Sequence, residues 1–163
     1  MTTASTSASP VLPDIEQFSS LLQQHGIHTA LQYLNSRTPH RYTGVFRFEG
    51  DELRNEALYD RRDPVNVVHG PNAPLEASYC VLLTRQQTPL EITDAATDPR
   101  LNHLTNKPVL SYCGVLIRDN EGKPFGSLCH FDMQRCQERT TDLPLMQAAA
   151  DLLYNHLHPS PAK

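Results

Sequence analysis

Residues 111–132 read SYCGVLIRDNEGKPFGSLCHFD, two β-rich runs on either side of a turn. Cys113, Val115 and Ile117 alternate along one face of the first run, and Phe125, Cys129 and Phe131 along one face of the second. Asp119-Asn120-Glu121-Gly122 joins them as a hairpin turn. The strands are expected over 109–118 and 124–133. Working upstream, Tyr42, Gly44, Phe46 and Phe48 alternate with Thr43, Val45 and Arg47, and ELRNEALYD at 52–60 returns after Glu49-Gly50-Asp51. This is a second hairpin. Between the hairpins, 61–74 reads as loop, 75–87 as a short helix, 89–93 as a short strand and 94–108 as a long connection with a helical turn at 100–105.

Helical spacing flanks these strands. Ile15, Phe18, Leu21 and Leu22 follow Asp14, a cap candidate, and stop at Gly26; Ile27, Ala30, Leu31 and Leu34 form a second short stripe. Leu143, Met146, Ala150, Leu153 and Leu157 mark a last helix over 142–158, with Asp142 available at its start. Strands grouped between terminal helices predict an α+β domain with an antiparallel sheet of five to six strands. Residues 14–158 form that domain. The Ser-, Thr-, Ala- and Pro-rich 1–13 is expected to be a disordered tail, and 159–163 a short tail.

The chain has 163 residues, enough for one domain that needs no metal or disulfide to fold. Its net charge of −4 weighs against nucleic acid as the main partner. No apolar run approaches the ~20 residues that span a bilayer, and the polar MTTASTSASP start lacks the pattern of a signal peptide. A bacterial-type cytoplasmic location follows as the expectation, with reduced thiols. Cys80, Cys113, Cys129 and Cys136 form no CxxC pair. GxSxG, HExxH and GxxxxGK[ST] are absent, so no catalytic motif marks the chain as an enzyme.

The 111–132 hairpin resembles the last hairpin of GAF domains. There a Tyr-Ala/Cys-Gly-Val strand leads through an Asp-Gly turn to a Gly-Thr-Leu-Cys strand. LEASYC at 75–80 is similar to the Ser-Phe/Tyr-Cys helix of that family, LEITDAATDPRL at 90–101 to its strand and Asp-Pro-Arg connection, and RYTGVFRFEGDELRNEAL to its first hairpin. The likeness covers roughly residues 15–157. It implies terminal helices on one sheet face, a middle segment covering the other, and a ligand pocket between sheet and segment. It also implies a sensor of an unidentified small molecule, a homodimer formed through the terminal helices, and a signalling partner protein, because the two tails cannot hold an output domain. Family ligands include cyclic nucleotides, haem, bilins, small anions and amino-acid derivatives. This chain lacks the Asn-Lys-Phe-Asp-Glu string of cyclic-nucleotide binders and a Cys beside His103 for a bilin, which leaves the cofactor undefined. Members that reduce free methionine sulfoxide carry cysteines in the covering loops. Here 61–74 and 94–108 have none, and only Cys80 and Cys113 lie within reach.

The expected ligand-binding residues are Tyr79, Cys80, Asp94, Arg100, His103, Tyr112, Cys113 and His130. Tyr79 and Tyr112 offer a hydroxyl and an aromatic face. Arg100 and His103 suit an anion, and Asp94 a donor, although Asp94 and Asp98 also suit turn capping. Cys113 and Cys129 equally read as small core residues. A redox or metal site from Cys80, Cys113, Cys129, His130 and Cys136 is the alternative, with haem held by a His as one form. The adjacency of Cys129 and His130 opposes a shared ion, since neighbours on a strand face opposite ways. Cys136, beside Arg135, is the reactive candidate by composition. His25, His28, His40, His156 and His158 are expected to be solvated, and His69, His103 and His130 to lie near the pocket. Four readings stay open: ligand sensor, thiol or metal sensor, methionine-sulfoxide-reducing enzyme, and interaction module with a filled pocket.

Overall fold

The computed structural model describes residues 11–65, 72–105, 107–136 and 142–158. Most of the expected N-terminal tail, the C-terminal tail and His69 lie outside them. The elements are α1 (Val11–His25), α2 (Ile27–Asn35), β1 (Tyr42–Glu49), β2 (Glu52–Asp60), β3 (Ala73–Pro74), α3 (Cys80–Gln86), β4 (Leu90–Ile92), β5 (Ser111–Arg118), β6 (Pro124–Asp132) and α4 (Leu143–Leu157). Single 3₁₀ turns lie at Leu75–Ala77 and Pro99–Leu101. Six strands form one sheet in the order β3-β2-β1-β6-β5-β4, all neighbours antiparallel. The α+β class and the antiparallel sheet agree with the sequence reading. The short β3 edge falls inside a segment that reads as loop.

Alternation gives the sheet two chemically different faces. Val45, Ala57, Tyr59, Cys113, Val115, Ile117 and Leu128 pack under α1, α2 and α4. Leu53, Phe46, Tyr112, Leu116, Cys129 and Phe131 face the other way, toward α3 and the connections around β4. Two bulges adjust the phase. Val45 pairs with Ala57 and Phe46 with Asn55, so Glu56 is the extra residue of β2. Ile117 pairs with Gly126 and Arg118 with Pro124, so Phe125 is the extra residue of β6. Phe125 therefore leaves the face of Cys129 and Phe131, where alternation puts it, and meets Tyr154 of α4 edge-on at 4.9 Å. Gly126 lets β1 and β6 close up, because a Cβ there would lie 2.1 Å from the Phe46 carbonyl oxygen.

The helices differ from expectation at their ends. α1 begins at Val11, ahead of Ile15, since Pro13 is tolerated in a first turn. Neither Asp14 nor Asp142 works as expected at a helix start. Both carboxylates bind Arg37, at 2.9 Å and 2.8 Å, tying the starts of α1 and α4 to the end of α2. In α4 the buried positions are Leu145, Met146, Ala149, Ala150 and Leu153, while Leu143 and Leu157 are only partly covered. Much of the apolar stripes of α1, α2 and α4 packs in the domain's own core, with Ile15, Ile27, Leu143, Leu152 and Leu157 only partly covered. His40 is a further correction: it is buried, 2% exposed, and does not sit in solvent.

Candidate functional site

The expected helix over 75–87 is broken, and the break builds the site. Leu75–Ala77 form a 3₁₀ turn, Ser78 is extended at φ −108 and ψ 158, and α3 starts only at Cys80. The Ser78 hydroxyl donates to the Leu75 carbonyl at 2.8 Å and holds the break. Tyr79 and Cys80 consequently turn inward onto the sheet. The Tyr79 hydroxyl donates to the carbonyl of Val109. Its ring meets Tyr112 edge-on at 5.7 Å. Tyr112 in turn lies over Gly114, where a Cβ would come within 2.4 Å of its hydroxyl.

These contacts enclose a cleft of about 150 Å³. Phe46, Leu53, Tyr112 and Phe131 form its floor on the sheet, Ala77 to Cys80 one wall, and Pro108 with Val109 the other. A small polar group sits at the deep end. The Cys80 Sγ lies 3.2 Å from both the Tyr112 hydroxyl and the Ser127 hydroxyl. Cys129 adjoins it from β6, with its thiol directed at the Gly44 carbonyl at 3.8 Å. Hydrogen bonding from Cys129, then Ser127 and Tyr112, outweighs burial and brings the Cys80 thiol down to about 7. Burial pushes Cys129 well above the usual thiol range and Tyr112 well above the usual phenol range, and it raises Tyr79 to about 12. Within the pair, ionisation is thus favoured at Cys80 and disfavoured at Cys129.

Of the eight residues expected to bind ligand, the structure gathers Tyr79, Cys80 and Tyr112 around the cleft. The other five lie elsewhere. Asp94 accepts the Ala96 backbone N–H at 3.1 Å and faces Arg135 at 3.6 Å. Arg100 donates to Asp98 at 2.6 Å and to the Glu91 carbonyl at 2.9 Å. This is the turn-capping alternative, and the Arg100 guanidinium holds the Asp98 carboxyl below its usual range. His103 is exposed. Cys113 and His130 are on the helix face, Cys113 against the Met146 sulfur at 3.9 Å and His130 against the Thr43 hydroxyl at 2.7 Å. The metal set drawn from the sequence is therefore divided by the sheet, and among the described residues no three His, Cys, Asp or Glu side chains converge. Sequence reasoning missed Phe46, Leu53, Ser127, Val109 and Phe131. Alternation along β1 and β6 signals Phe46, Ser127 and Phe131, whereas Val109 has no signal short of the tertiary fold.

Comparisons with known proteins agree with this architecture. The family model of the GAF domain matches residues 26–157. No curated protein sequence matches the chain. Among solved structures, free methionine-R-sulfoxide reductase from Neisseria meningitidis superposes with a TM-score of 0.66 at 15% identity, covering 94% of this chain and 91% of that one. The GAF domain of an Acinetobacter phosphoenolpyruvate-protein phosphotransferase superposes with a TM-score of 0.66 at 10% identity, covering 98% and 100%. A phycocyanobilin-bound GAF domain from a cyanobacterial phytochrome gives 0.66 at 14% identity, covering 94% and 100%. At these identities the likeness is one of fold. No helix among the described residues is long and apolar enough to cross a membrane.

Proposed function

The chain belongs to the GAF domain family, and from that premise we propose that it is a small-molecule-binding sensory module whose ligand enters the cleft between the sheet and α3. The observation that carries this reading is the cleft itself: aromatic floor, backbone-built walls and one polar cluster at its end. Such a site takes a compact, mostly apolar molecule with one polar group, which the polar ends of Tyr79, Cys80 and Tyr112 along the lining would orient. About 150 Å³ suits a single-ring molecule. Binding would press on the Ala77–Cys80 wall and on the segment leading into β5. The signal would pass to a partner protein or a second copy of the chain in a cytoplasmic setting.

A thermal-shift screen of single-ring compounds, run on the chain and on Ala77→Trp, tests this. Ala77 lines the mouth and is exposed, so the indole would occlude the cleft while leaving the core intact. Compounds that raise the Tm of the wild type but not of Ala77→Trp support the reading. Compounds that stabilise both equally bind elsewhere and refute it.

One observation favours a second reading, reduction of free methionine-R-sulfoxide: Cys80, with its lowered pKa, lies at the cleft of a fold shared with such reductases. Reductant-dependent turnover of that sulfoxide, abolished in Cys80→Ser, would establish it. Absence of turnover would leave the sensory reading alone.

A further inference from the structure

Two thiols meet under the cleft, and they are not equivalent. Both are buried, but Cys80 lines the cleft and Cys129 does not. Cys129 is paired with Gly44 on β1 and Gly114 on β5. No side chain grows from either strand beside it; its thiol points at the Gly44 carbonyl at 3.8 Å and shares the cleft-side cluster with Cys80, whose Sγ meets Ser127, two residues before Cys129 on the same face of β6, at 3.2 Å. Both are free thiols. Cys113 cannot join them, because it faces α4 from the other side of the sheet.

We propose that Cys80 and Cys129 are a peroxide-responsive pair, with Cys80 as the attacking sulfur and Cys129 as the resolving one, whose disulfide fastens α3 to β6 beneath the cleft. The roles follow from access and charge. Of the two, Cys80 is the one that lines the cleft, although both are buried, at 3% and 1% exposure. The donors around it favour the thiolate, the nucleophilic form, and the buried Cys129 stays protonated until it reacts. The chemistry closes with a hydroperoxide as the sole oxidant. The Cys80 thiolate attacks one peroxide oxygen, the O–O bond breaks, and the other oxygen leaves as water or alcohol after taking a proton. Cys80 becomes a sulfenic acid. The Cys129 sulfur then attacks the Cys80 sulfur, the S–O bond breaks, and the hydroxide leaves as water with the Cys129 proton. Two thiols are oxidised by two electrons and one peroxide is reduced. The Cys80 Sγ leaves its contacts with Tyr112, which lines the cleft, and with the buried Ser127 behind it. Oxidation would thereby rebuild the deep end of the cleft. This inference needs an open cleft but not the ligand proposed above, so each can fail alone.

The test treats the whole chain with hydrogen peroxide under native conditions, blocks remaining thiols after denaturation, and maps the peptides. The expected result is a monomer that has lost the mass of two hydrogens and carries a Cys80–Cys129 cross-link. The link should persist in the Cys113→Ser/Cys136→Ser double variant. In Cys129→Ser, a sulfenic-acid-trapping diketone should label Cys80. If Cys80 and Cys129 both remain alkylatable, or if oxidation is confined to Cys136, the proposal is overturned. The wild-type map decides the question even where a serine variant does not fold.

Discussion

Acidification should weaken this fold before its carboxylates protonate, through two histidines stacked under α2. His40 and His130 lie 6.1 Å apart with rings 10° from parallel, 2% and 1% exposed. The His40 Nδ1 meets the Thr38 hydroxyl at 2.7 Å. Asn35 donates to the Thr43 oxygen at 2.9 Å, which leaves the Thr43 proton for the His130 Nδ1 at 2.7 Å. Burial lowers His40 from 6.5 to about 4; Arg61 adds to that shift and Asp132 opposes it. Burial, then His40 and Arg61, lower His130 from 6.5 to about 3. Both rings are therefore neutral in the folded state while the unfolded chain still takes up protons. Stability from this source is complete above the unfolded value and is lost as pH falls toward the folded values. At about pH 5 each ring removes about 2 kcal/mol, and the two together remove a large share of the ~5–15 kcal/mol of a typical domain. Hydrogen bonds from Arg41 and Arg100 hold the Asp60 and Asp98 carboxyls below the usual carboxylate range, so their contributions fade only at lower pH. Urea titrations between about pH 7 and 5 thus isolate the histidines. The expectation is a steady fall in the midpoint at constant m, roughly halved in slope by His130→Gln. A flat midpoint over that interval, or imidazole NMR signals from both buried rings titrating near the free value in the folded protein, would refute the reasoning.

Other substitutions should act through single named contacts. Gly114→Ala forces the Tyr112 ring off its seat, where the new Cβ would lie 2.4 Å from the hydroxyl. It should cost ~1–3 kcal/mol and abolish ligand-dependent thermal shifts, which a calorimetric scan would register. Met146→Ala empties a fully buried site under α4 beside Cys113. A loss of ~2–5 kcal/mol in chemical denaturation is expected, with the cleft unchanged. Arg61 donates to the Asn35 and Thr38 carbonyls at 2.7 and 2.6 Å, capping the end of α2. Arg61→Met should lower stability by about 1–3 kcal/mol, and unchanged urea midpoints would contradict that role. Arg37→Ala breaks exposed ion pairs to Asp14 and Asp142, so its effect should stay below ~1 kcal/mol and shrink with salt.

Much of the architecture was legible because period and turn chemistry are local properties. Alternation in Tyr42–Phe48 and Ser111–Ile117 marks strands before any fold is known, and Asp119 confirms its turn by accepting from the Glu121 and Lys123 N–H groups. The α3 break was not legible. Nothing in the pattern of Leu75–Gln87 marks the point at which the Ser78 N–H and hydroxyl both turn back to the Leu75 carbonyl and close the first turn. Tyr79 and Cys80 are then held onto the sheet by the Val109 carbonyl and by Tyr112 and Ser127. His40 misled for a different reason: a histidine before a strand reads as surface, and its burial depends on Thr38, Asn35 and Arg61 converging through tertiary contacts.

The neighbours Cys129 and His130 show how much chemistry the two-residue period separates. One backbone step puts the thiol under the cleft and the imidazole under α2, each completed by strands on both sides. The bulge at Phe125 lies just upstream, and beyond it β6 runs in unbroken register with β5 from Gly126 to Asp132. That bulge can be absorbed because Gly126 lets the backbone of β1 approach where any Cβ would collide. Were the register to slip by one residue, a thiol would replace the imidazole among Asn35, Thr43 and Arg61, and an imidazole would enter the apolar cleft. Both exchanges strand polar groups, so the acid-sensitive pair and the thiol pair defend the same register from opposite faces.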